Sequence, residues 1–69
     1  MEEVVIVTRD INGRRTCHYL QWDAVCSYID ENESLHDEEI LMVVAGGYCV
    51  FSGLQHGEID WEDLVGFFA

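Results

Sequence analysis

The run Ile40-Leu41-Met42-Val43-Val44-Ala45-Gly46-Gly47-Tyr48-Cys49-Val50-Phe51-Ser52 reads as a β-hairpin. Six apolar residues lead into two glycines, which supply the positive φ that a tight turn requires, and a second run rich in aromatic and β-branched side chains follows. The first half is far too short to cross a membrane as a helix. Strict alternation puts Ile40, Met42, Val44, Cys49 and Phe51 on one face and Leu41, Val43, Tyr48 and Val50 on the other, so both faces are apolar. A sheet covered on one side only leaves one set wet. The expectation is a partly exposed face bearing Leu41, Val43, Tyr48 and Val50, covered by a second copy or a partner unless the first hairpin and the loops cover it.

Working back toward the N-terminus, Glu3 to Leu20 reads as another hairpin, with Val4 to Thr8 and Thr16 to Tyr19 as its strands. Asp10-Ile11-Asn12-Gly13 between them suits a type I turn with a glycine bulge, because Gly13 accepts the left-handed conformation. That register groups Val5, Val7, Cys17 and Tyr19 on one face and Ile6, Thr8, Thr16 and His18 on the other. From Gln21 to about Glu31 the period becomes helical, with Trp22, Val25, Cys26 and Ile29 on one stripe. Asn32 to Asp37 has no periodicity and reads as a loop. Near the C-terminus Asp60 is placed to cap a helix whose stripe is Trp61, Leu64, Val65 and Phe68, with Asp63 three residues on as in a capping box. The order ββαββα predicts a single α+β domain over residues 1–69, a two-layer fold with a four-stranded antiparallel sheet and both helices on one face.

Sixty-nine residues lie near the size at which one core barely offsets chain entropy, which keeps a homodimer open. A content of 49% apolar residues is too high for a disordered acidic tail. The formal net charge of −11 repels nucleic acid and anionic membranes, so the expected partner is basic. Cys17, Cys26 and Cys49 form no C-x-x-C pair, and nothing reads as a signal peptide. Three reduced thiols in a cytoplasmic protein are expected, with one disulfide plus a free thiol, or a weak metal site, as the alternatives.

Carboxylates fill six of the ten positions from Asp30 to Glu39, and that stretch holds no Lys or Arg. A second cluster, Glu58, Asp60, Glu62 and Asp63, lies near the C-terminus. Asp60, Glu62 and Asp63, like Asp23 at the start of the first helix, favour the positive end of a helix dipole. Asp30 and Glu31 stand at the unfavourable end of the first helix, and Glu33, Asp37, Glu38 and Glu39 repel one another across a short connection. Residues placed against local electrostatics point to a surface selected for binding, and all ten carboxylates of the two clusters are candidate partner-binding residues.

Other chemistries fit less well. Asp30, Asn32 and Ser34 match three ligand positions of an EF-hand loop, but Leu35 stands where glycine is required and Leu41 where a bidentate Glu is required. His18, His36, His56 and the cysteines match no recurrent zinc spacing. With Cys17 and His18 on opposite faces of a strand, the expected reading is a buried Cys and an exposed His. A thiolate is disfavoured in so anionic a chain, and the small volume leaves little room for a pocket, so neither an enzyme nor a bound cofactor is expected. Arg9, Arg14 and Arg15 are too few for a nucleic-acid-binding stripe and are expected to pair with carboxylates of the same chain or of a symmetry mate. Trp22 and Trp61 belong on the core stripes of their helices.

In size, acidity and layout, though in no motif, the chain resembles phage-encoded inhibitors of bacterial defence, in particular anti-CRISPR proteins that act as nucleic-acid mimics. The resemblance implies a stoichiometric binder lodged in the basic nucleic-acid channel of an effector complex in the host cytoplasm. Duplex DNA carries a negative charge about every 1.7 Å of its axis, and two carboxylate clusters on one side of a protein can copy part of that array. Two further readings are an acidic oligomerisation or adaptor module that binds through an apolar sheet face, and an immunity-type or antitoxin-type inhibitor of a basic toxin.

Overall fold

The two strands richest in aliphatic side chains, β1 (Glu3–Arg9) and β3 (Glu39–Ala45), lie side by side in the middle of a four-stranded sheet. The computed structural model that shows this describes residues 2–69, the side chains of Gln55 and His56 excepted. The edges are β2 (Arg15–Gln21), which carries Arg15, Thr16, His18 and Gln21, and β4 (Tyr48–Ser52), which is shorter. The order is β2-β1-β3-β4 and every neighbouring pair is antiparallel. Polar or short edge strands blunt the tendency of a sheet to pair with further chains. Two helices, α1 (Val25–Glu31) and α3 (Trp61–Phe68), cover one face, giving the α+β, ββ-helix-ββ-helix arrangement.

The first turn forms as its sequence dictates. The Gly13 N–H donates to the Asp10 carbonyl at 2.9 Å, Gly13 adopts φ +82°, and Asp10 Oδ1 accepts from the Asn12 and Arg14 amides. Gly46 and Gly47, at φ +57° and +83°, close the second hairpin in the conformation that matches strand twist.

The faces of that hairpin differ from simple alternation. The ladder passes from Val7↔Met42 to Thr8↔Ile40, leaving Leu41 as an extra residue, and from Val43↔Phe51 to Val44↔Cys49, leaving Val50 as another. Each bulge shifts the side-chain parity by one. Ile40 and Val43 therefore both face the helices, and Val43 is 0% exposed instead of lying on the wet face with Leu41, Tyr48 and Val50. Phe51 likewise joins the helix side, its ring 5.2 Å from that of Phe67. The uncovered face carries Met42, Val44 and Cys49, in register with the first hairpin's Val5, Val7, Cys17 and Tyr19.

Between the layers, Val4 and Ile6 meet Val25 and Ile29 of α1 and Leu64 and Phe68 of α3. Full burial of each such side chain is worth about 1.5–3 kcal/mol. The helical period expected from Gln21 begins as a 3-10 turn, Trp22–Ala24, before α1 proper, and the Trp22 ring meets Phe68 edge-on at 4.6 Å. Asn32 to Asp37 is not a structureless loop: Glu33–Asp37 is a second 3-10 turn, drawn inward by the burial of Leu35. Asp60 has the extended conformation of an N-cap, but no side-chain capping bond forms. The Asp63 and Leu64 amides bond the Asp60 carbonyl instead, so the reciprocal capping box is absent. One element that lacked any periodic signal is the single turn α2 (Gly53–His56), started by Ser52 Oγ accepting the Leu54 N–H at 3.3 Å.

Candidate functional site

Leu35 fixes how the first acidic segment is displayed. With its side chain in the core, and with backbone bonds from the Leu35 amide to the Asn32 carbonyl and from the Glu38 amide to the Leu35 carbonyl, the turn holds Glu33 and Asp37 exposed. Asn32 Nδ2 donates to the Tyr28 carbonyl at 2.8 Å, near the end of α1 where carbonyls run short of backbone donors.

Trp61 joins this segment to the second acidic cluster. Its indole Nε1–H donates to the Glu38 carbonyl at 3.0 Å, and the His36 ring stacks on it with centroids 6.1 Å apart and planes 23° apart. His36 Nε2 lies 3.2 Å from the Ile29 carbonyl, which it reaches as a donor. The result is a cleft of about 280 Å3 lined by Asp37, Glu38 and Glu39 on one side and Glu58, Asp60 and Trp61 on the other. Residues some twenty positions apart in the chain thus supply five carboxylates to one rim. Glu62 and Asp63 follow on the exposed first turn of α3. Asp30, Glu31 and Glu33 are exposed but do not line the cleft.

The clustered carboxylates are not equivalent. Glu39 pairs with Arg9, the one ion pair among the described residues, so of the three arginines expected to pair with carboxylates only Arg9 does so within the chain. Both side chains are about half exposed, so the pair contributes little stability, about 0–1 kcal/mol. Glu38 is half-buried, and its Oε1 accepts the Thr8 hydroxyl proton at 2.7 Å. Asp37, Glu58 and Asp60 are exposed and make no ion pair among the described residues.

The Glu38 contact starts a polar chain that runs through the core. Thr8, 0% exposed, gives its proton to Glu38, so its oxygen must accept from His18 Nε2–H at 3.0 Å. The other ring nitrogen, Nδ1, lies 2.8 Å from the Tyr28 hydroxyl, a group that can donate to it or accept from it. His18 is therefore half-buried and bonded at both nitrogens, while Cys17 is exposed, the reverse of the expected placement. The signal was present in the strand itself: a Thr sharing a face with Val4 and Ile6 needs a partner for its hydroxyl.

All three cysteines are free thiols. Among the described residues no three His, Cys, Asp or Glu side chains converge to hold a metal ion, and the His56 side chain lies outside them. Among the same residues no helix is long and apolar enough to cross a membrane. The Trp61 clasp and the polar chain escaped sequence reasoning because each is a contact between distant segments. No protein-family model, curated protein or solved structure matches this chain.

Proposed function

We propose that the protein is a non-enzymatic inhibitory binder whose acidic rim occupies the basic nucleic-acid-binding groove of a target protein, as the resemblance to anti-CRISPR nucleic-acid mimics implies. The observation that carries this reading is the convergence of Asp37, Glu38 and Glu39 with Glu58 and Asp60 on one cleft. Like charges held together at a rim cost stability, and a groove of Lys and Arg side chains relieves that cost on binding. The target belongs to the cytoplasm of the host cell, and the protein itself does not bind DNA.

Exposure decides which carboxylates meet the target. Glu33, Asp37, Glu58 and Glu62 are exposed and form no side-chain ion pair among the described residues, whereas Glu38 holds Thr8 and Glu39 holds Arg9. The test is capture of nucleic-acid-binding proteins from a bacterial lysate on immobilised protein, wild type against the variant carrying Glu33→Lys, Asp37→Lys, Glu58→Lys and Glu62→Lys. A basic effector retained by the wild type and held at least about 100-fold more weakly by the folded variant supports the reading, a difference of roughly 2.7 kcal/mol. Equal retention by both proteins contradicts it.

A further inference from the structure

Asn12 and Asn32 are the asparagines of the chain, and the fold treats them differently. Asn32 is half-buried, its Nδ2 donates to the Tyr28 carbonyl at 2.8 Å, and the long side chain of Glu33 follows it. Asn12 stands at the exposed tip of the first hairpin, its side-chain amide makes no hydrogen bond among the described residues, and Gly13 follows it. Gly13 is exposed as well, and nothing lies within 4 Å of the point where a Cβ would stand on it. A glycine has no Cβ to crowd the approach of the preceding side chain to its backbone nitrogen.

We propose that Asn12 is a site of spontaneous deamidation through a cyclic imide, and that Asp10 sets its rate. The Gly13 nitrogen, after giving its proton to hydroxide, attacks Asn12 Cγ. The N–Cγ bond forms and the Cγ–Nδ2 bond breaks, and the departing nitrogen takes a proton from water and leaves as ammonia. A water molecule then opens the five-membered imide. Cleavage between the Gly13 nitrogen and Cγ leaves an aspartyl residue, whereas cleavage at the backbone carbonyl of position 12 leaves an isoaspartyl link whose chain runs through Cβ and Cγ. In sum one water is consumed and one ammonia released, with nothing oxidised or reduced.

Asp10 opposes this reaction. Its carbonyl accepts the Gly13 N–H at 2.9 Å, which holds the proton that has to leave. Its Oδ1 accepts from the Asn12 and Arg14 amides at 2.9 Å each and so fixes the backbone on both sides of Gly13. Cyclisation therefore requires the turn to open, because the imide nitrogen has no hydrogen left to donate. The product alters the same corner. An isoaspartyl link adds a methylene to a turn whose bonds depend on residue spacing, and the new carboxylate enters the region of Arg9, Arg14 and Arg15, taking the formal charge of −11 one unit lower. Asp10 and Ile11 line one depression with Asp37 and Glu38, so the altered turn adjoins the first acidic segment. The inference goes beyond the proposed function and stands without it, because the reaction involves only the hairpin tip and water.

Peptide mapping by mass spectrometry, after incubation of the folded protein in warm, mildly alkaline buffer, tests it. The wild type should gain an acid at position 12, in aspartyl and isoaspartyl forms, while Asn32 stays intact. Asp10→Ala should speed the conversion at least about fivefold, the factor that loss of one ordinary hydrogen bond gives. Asp10→Asn, which keeps an acceptor oxygen, should restore most of the protection, and this separates the bond from any loss of fold in the alanine variant. In urea the wild type and Asp10→Ala should convert at one rate, since no turn remains to protect either. An Asn12 that stays intact in the folded protein while it converts in urea overturns the proposed site, and so does an Asn32 that converts as fast. Equal rates for folded wild type and Asp10→Ala overturn the role of Asp10.

Discussion

The two faces of the sheet use nearly the same side chains and end in different states. On β1, Val4, Ile6 and Thr8 point toward the helices and are buried, while Val5 and Val7, one residue away in each case, stay half-exposed. Alternation explains why neighbours part company, but not which set becomes core. That choice belongs to α1 and α3, whose stripes of Val25, Ile29, Leu64 and Phe68 complete one face only. One face therefore holds the buried core, and the other stays half-exposed.

Truncations measure this asymmetry most strongly. Ile29→Ala or Leu64→Ala should cost about 2–5 kcal/mol, because both side chains are wholly buried and their removal leaves a cavity. Val7→Ala on the open face should cost under about 1 kcal/mol, because the side chain is only half-buried. Urea midpoints at constant slope give both values, and similar costs on the two faces would break the comparison.

A hydroxyl test sharpens it. Thr8→Val removes the group that links Glu38 to His18 and should destabilise by about 1–3 kcal/mol, since both partners lose a bond in a half-buried setting. Val7→Thr, the reverse change on the open face, should cost less. Were Thr8→Val neutral, the polar chain through the core would have no energetic standing.

Smaller effects probe the acidic rim. Trp61→Phe keeps a ring for His36 to stack on but loses the bond to the Glu38 carbonyl, at about 1 kcal/mol. Amide hydrogen exchange should then accelerate over residues 36–39 before it does in β2, and uniform acceleration would argue against Trp61 as a local clasp. Arg9→Ala, which breaks the exposed pair with Glu39, should shift stability by less than about 1 kcal/mol in the same denaturation series.

The sequence carried the element order, both hairpins, the Gly13 bulge turn and the two helical stripes, because each rests on local periodicity or on a residue with special backbone freedom. It did not carry the bulges at Leu41 and Val50. An extra residue in a strand leaves no mark in composition, yet it exchanged Val43 for Met42 on the open side. Leu35 looked like an isolated apolar residue in a polar stretch, and only packing against the core makes it an anchor. The acidity of the candidate site was plain, but the meeting of the 37–39 and 58–60 segments depends on Trp61 reaching a backbone carbonyl 23 positions away. A pattern confined to one segment cannot announce such a contact.

The claim that the rim copies a run of phosphates is tested most directly by the salt dependence of affinity for the captured target, measured by calorimetry between about 50 and 200 mM salt. If the exposed carboxylates in and beside the cleft make the contact, the association constant should drop by at least about tenfold across that range, and the four-lysine variant should show a shallower slope. Affinity indifferent to salt, equal in both proteins, would mean that the target is held by apolar surface and that the rim serves only to keep the protein in solution.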